Sequence, residues 1–130
     1  MIERSIKRKI RAVFNRYRDH GIYVYMPVPG GYGESSLDYL GFIYGHGFAV
    51  EAKRPGGKPT PRQEGIIERI EESGAVVFVV SDDDSLAVLN NWLATTVRGR
   101  HELRLARQET LGHSENYDSL TDKIRPRLRP

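Results

Sequence analysis

The sequence predicts an α/β domain with a mixed central sheet flanked by helices. Three observations predict it. Apolar residues recur at helical spacing near the start, two strand-like runs meet at Gly45-His46-Gly47, and Ala75 to Val80 is a continuous apolar run. The chain has 130 residues, 38% of them hydrophobic, which suits one domain around one core. The element order reads α-β-β-β-α-β-α.

Taken in order, residues 2–19 place Ile2, Ile6, Ile10, Val13, Phe14 and Tyr17 on one stripe, with Lys7, Arg8, Arg11, Arg16 and Arg18 mostly elsewhere. Gly21 stops this helix. Residues 22–28 are rich in Tyr and Val, as a strand is, and end at Pro27 and Pro29. Gly30-Gly31-Tyr32-Gly33 then reads as a flexible loop. Leu37 to Tyr44 and Phe48 to Lys53 are the two strands of a hairpin with glycine at its turn. After the Gly/Pro loop from Arg54 to Pro59, Thr60-Pro61-Arg62-Gln63 opens a helix with a capping residue, a proline and a glutamine at the capping-box position. Ile66, Ile67 and Ile70 form its stripe and Gly74 closes it. Ala75 to Val80 suits a strand covered on both faces. Asp82-Asp83-Asp84-Ser85 caps a last helix containing Leu86, Leu89, Trp92 and Leu93. Periodicity fades near residue 98, which divides the chain into a domain over 1–97 and a basic C-terminal tail over 98–130, expected to be partly mobile.

Charge is distributed unevenly. Residues 1–20 carry seven Lys/Arg against two acids, residues 98–130 eight against five, and the segment between them five against ten. Basic ends suit a phosphate backbone and an acidic centre suits a cation. The same distribution also describes a solvated helix face and an ordinary tail. No apolar run is long enough to span a bilayer, and the opening residues lack the apolar stretch of a signal peptide. With no cysteine there is neither a disulfide framework nor a thiolate metal site, which fits a cytoplasmic protein without membrane contact.

The chemistry centres on the hairpin. In Phe48-Ala49-Val50-Glu51-Ala52-Lys53, alternation puts Glu51 and Lys53 on one face and Phe48, Val50 and Ala52 on the other. A two-residue turn at Gly45-His46 pairs Tyr44 with Gly47, and counting back places Asp38 opposite Lys53 on that same face. Two carboxylates at a sheet end can hold Mg²⁺ through hard oxygen ligands while leaving positions for water and phosphate. A nearby ammonium can position the water or offset charge that develops in the transition state. Asp38, Glu51 and Lys53 are therefore the candidate catalytic set. Taken alone, such a spacing more often marks a cross-strand Asp–Lys pair on a solvated face.

These residues do not stand alone. Leu37-Asp38-Tyr39, Val50-Glu51-Ala52-Lys53-Arg54-Pro55, the run from Gly57 to Gln63 and Gly74-Ala75-Val76-Val77 together resemble the VRR-NUC branch of the PD-(D/E)XK nuclease superfamily. The resemblance covers residues 1–96 in element order, with its informative motifs between 37 and 81. It departs from the pattern where Leu37 replaces the usual proline. It implies a restriction-endonuclease-like αβββαβ core. It further implies metal ligation by Asp38 and Glu51, joined by the backbone carbonyl of Ala52 and by Glu3, with Lys53 as the catalytic lysine and Gln63 as a further site residue. The cofactor would be Mg²⁺ or Mn²⁺, with no organic cofactor, and the reaction hydrolysis of DNA phosphodiesters. Stand-alone members of the family look like dimeric enzymes that cut junctions, so a homodimer acting on branched DNA is the expectation here.

Other residues carry open alternatives. Gln63 serves equally well as a capping-box residue, and Glu3 is more often a solvated residue of a first helical turn. The candidate phosphate contacts are Lys7, Arg8 and Arg11 on the first helix and Arg54 and Lys58 in the loop after the hairpin. Tyr23, Tyr25 and Tyr32 can stack on bases, although packing is the commoner role, and Tyr23, Tyr25 and Ile43 can also serve a dimer interface. His20, His46, His101 and His113 have no zinc-ligand spacing. The rival function is a non-catalytic nucleic-acid-binding module in which the carboxylates are structural.

Overall fold

A computed structural model describes residues 3–28 and 36–109, with the side chains of 104, 105 and 107–109 excepted. The Gly30–Gly33 loop, Tyr32, His113 and the final twenty-one residues of the tail lie outside the described residues. The chain divides into two units, Met1–Arg98 and Gly99–Pro130. The first contains α1 (Glu3–Arg16), β1 (Ile22–Tyr25), β2 (Tyr39–Ile43), β3 (His46–Ala52), α2 (Pro61–Glu72), β4 (Val76–Val80) and the start of α3 (Asp83–Glu109).

The four strands form one mixed sheet in the order β1-β2-β3-β4, antiparallel as far as β3 and parallel between β3 and β4. A parallel pair needs a crossover, and α2 supplies it. Alternation then sorts the side chains. Phe48, Val50, Ala52, Tyr39, Ile43 and Val80 point to one face, where Ile6, Ile10, Val13 and Phe14 of α1 and Leu89 and Leu93 of α3 cover them. On the other face Ala49, Leu37 and Ile67 of α2 are buried, with Leu40, Ile66, Ile70, Val77 and Val79 packed around them. Each fully buried Ile or Leu contributes about 1.5–3 kcal/mol of burial energy. Trp92 holds α3 down with its ring 5.7 Å from Phe48 and 5.5 Å from Phe78. Polar contacts tie α1 to α3: the Tyr17 hydroxyl donates to Asn90 Oδ1 at 2.8 Å, and Lys9 pairs with Asp83 at 2.8 Å.

Both helix caps follow the sequence. Thr60 accepts from the Gln63 amide, and the Gln63 side chain accepts from the Thr60 amide, closing the capping box. Asp82 Oδ1 accepts from the Ser85 amide at 2.8 Å at the start of α3.

Two expectations need correction. The turn lies at Tyr44-Gly45, one residue earlier than expected, because Ile43 pairs with His46. Both turn residues have positive φ, 47° and 84°, as the tight turn favoured by strand twist requires. The Tyr44 amide donates to the Gly21 carbonyl at 3.1 Å, and its ring lies so close to Gly21 that a Cβ there would meet it at 2.5 Å. Second, Ile43 is no interface residue. It is 0% exposed, whereas Tyr23 and Tyr25 are 65% and 52% exposed, because Ile43 falls on the face that α1 covers and the tyrosines on the opposite one. Regular structure continues past residue 98 as α3 to Glu109, while the division of the chain falls between Arg98 and Gly99. That stretch has no proline, and its Arg, Glu, Leu and Gln residues are good helix formers, so the helix propagates there. No helix among the described residues is long and apolar enough to cross a membrane.

Candidate active site

Because β2 and β3 are antiparallel, the start of β2 lies beside the end of β3. Tyr39 pairs with Val50, and one more step of that register brings Asp38 opposite Glu51 rather than opposite Lys53. The shift is two residues in all. A shift of two preserves side-chain parity, so Asp38 and Glu51 still face the same way. Leu37, 1% exposed, packs against Ala49 and Ile67 and anchors the segment that carries Asp38.

Each of the four carboxylate oxygens has a protein contact. The Ala52 amide donates to Asp38 Oδ2 at 2.8 Å, and the Asp38 amide donates to Glu51 Oε1 at 3.3 Å. Gln63 Nε2 donates to Glu51 Oε2 at 2.6 Å. The Lys7 ammonium lies 3.4 Å from Asp38 Oδ1 and 3.8 Å from Glu3 Oε1. The second turn of α1, through Lys7, and the first turn of α2, through Gln63, thus converge on the pair.

Glu51 is the one buried charged side chain among the described residues, at 3% exposed. Its carboxyl is pushed up to about 8, first by burial and then by the hydrogen bond and negative charge of Asp38, while Lys53 pulls the other way. Like charges held this close in a poorly solvated place resist ionising together. A cation would relieve that conflict.

The remaining candidates divide. Gln63 uses both ends of its amide, Oε1 in the capping box and Nε2 on Glu51, so the two alternatives hold at once. Lys53 follows β3, its amide donating to the Val80 carbonyl at 2.9 Å, and acts on Glu51 through its charge. The ion pair to Asp38 comes from Lys7 instead. Glu3 joins the pair only through Lys7. Arg8 and Arg11 are exposed on α1, and Arg54 and Lys58 are exposed on the loop after β3. Arg11 and Lys7 also lie near the Tyr39 hydroxyl, which is buried without a partner among the described residues.

No group of three or more His, Asp or Glu gathers to hold an ion among the described residues. Two carboxylates nevertheless suit Mg²⁺, which is commonly held by one or two such groups and completes its shell with water and phosphate. The oxygen-only donor set and the negative charge that Asp38 places beside the buried Glu51 fit that ion. Comparison with protein-family models and with curated proteins finds no match.

Sequence reasoning placed Lys7 among the general phosphate contacts and missed its proximity to Asp38. The available signal was its position one turn after Glu3 and beside the buried Ile6 and Ile10.

Proposed function

We propose that this chain is a Mg²⁺- or Mn²⁺-dependent nuclease that hydrolyses DNA phosphodiesters. One observation carries the proposal: Asp38 and the buried Glu51 are held together at the end of the sheet, the Asp38 amide donating to Glu51 Oε1. The αβββαβ order with its mixed sheet supports a restriction-endonuclease-like core, as does the resemblance to VRR-NUC nucleases at residues 37–81. In this reading Asp38 and Glu51 bind the ion, and the family resemblance adds the Ala52 carbonyl as a further ligand. The ion, when bound, polarises the phosphate and lowers the pKa of a water. Gln63 fixes the rotamer of Glu51, and Lys53 offsets charge that develops on the phosphate. Arg8, Arg11, Arg54 and Lys58 supply exposed positive charge for the backbone of the nucleic acid.

One small site reaches one strand, so paired cuts call for two subunits related by a two-fold axis. A homodimer selective for branched DNA follows from that and from the family resemblance.

A second reading has an observation of its own. All four carboxylate oxygens already have protein contacts, so the pair also serves as a latch joining β2, β3 and α2 in a non-catalytic nucleic-acid-binding module. Cleavage of matched duplex, flap and four-way-junction DNA, with Mg²⁺ and with chelator, separates the two. The nuclease cuts only with the metal, favours branched substrates, and loses activity in Asp38→Ala and Glu51→Ala. Binding without cleavage under every condition establishes the latch instead.

A further inference from the structure

We propose that Lys7 is a built-in counter-ion of the carboxylate pair, which competes with the divalent cation for Asp38 in the free protein. The inference rests on the metal-dependent nuclease reading and assigns Lys7 a positioning role within that site.

The geometry is specific to this lysine. Its ammonium sits 3.4 Å from Asp38 Oδ1, the carboxylate oxygen that takes no backbone hydrogen bond, since Oδ2 is held by the Ala52 amide. A cation arriving at Oδ1 therefore meets an ammonium already there. Glu3, one turn back on α1, lies 3.8 Å from the same ammonium and gives it a second acceptor, so leaving Asp38 does not strand the charge. The side chain of Lys7 is 36% exposed and that of Asp38 24% exposed, so exchange needs no rearrangement of the core. Lys9 provides an internal comparison. It lies on the same helix and carries the same charge, but it is paired with Asp83 at 2.8 Å on α3.

The effect expected is that of releasing one partly exposed ion pair, roughly two- to fivefold in affinity. The test is calorimetric titration of the chelator-stripped full chain with Mn²⁺ alone. Lys7→Met should bind Mn²⁺ roughly two- to fivefold more tightly than wild type. Lys7→Arg, which keeps the cation, and Lys9→Met, which loses an equal charge elsewhere, should both match wild type. Lys7→Gln gives the same reading if the Met variant proves unstable. Equal or weaker binding by both neutral Lys7 variants overturns the proposal, and so does an equal gain in Lys9→Met, which would make the effect one of net charge. Wild-type protein that takes up no Mn²⁺ removes the nuclease reading itself, and this proposal with it.

Discussion

The raised Glu51 carboxyl makes the stability of the metal-free protein depend on pH. Folded Glu51 titrates at about 8 against an ordinary value of 4.5. Between those values the native state holds a proton that the unfolded chain has released, so stability falls as pH rises through that window. At about 1.4 kcal/mol per pH unit the loss across the window is on the order of a few kcal/mol, a large share of what a small domain has. Glu51→Gln carries the uncharged form permanently and should remove this dependence. Asp38→Asn removes the second and third causes but leaves burial, so it should reduce the slope without abolishing it. Urea denaturation between pH 5 and 9 in chelator checks all three proteins. The difference between wild type and Glu51→Gln is the quantity to read, because it isolates this carboxyl. Saturating Mg²⁺ should restore wild-type stability most at the alkaline end, where both carboxylates must be charged. A wild-type midpoint that tracks Glu51→Gln across the whole range would refute the placement of Glu51 in a conflicted pair.

Gln63 offers a way to separate fold from chemistry. Gln63→Glu keeps the capping-box acceptor but sets another carboxylate against Glu51 Oε2, so in chelator its stability should fall below wild type as pH rises, and cleavage should fall with it; Gln63→Ala should lose about 1 kcal/mol of helix capping. Unimpaired cleavage by the Glu variant would reduce Gln63 to a cap. Lys53→Met should retain Mn²⁺ binding by calorimetry while single-turnover cleavage drops on the order of a hundredfold. Loss of metal binding with cleavage intact at saturating metal would reverse the role assigned to Lys53.

Much of this protein is legible in its sequence because its signals are local. The stripe from Ile6 to Phe14, the apolar run at Val76–Val80 and the Thr60–Gln63 capping box each lie within a few residues, and each forms the element it announces. Alternation along β3 likewise separates Glu51 from Val50 and Ala52 before any folding is considered. What the sequence left open depended on contacts between distant segments. The hairpin register was decided by Tyr44, which accepts a positive φ where its amide bonds to the Gly21 carbonyl and its ring packs on that glycine. Asp38 kept the company of Glu51 only because the resulting shift was two residues rather than one. Lys7 reaches Asp38 only when α1 packs across the sheet end, and Gln63 reaches Glu51 only when α2 packs across its other face. Periodicity fixes which way a side chain points along its own element, whereas packing decides what lies opposite it.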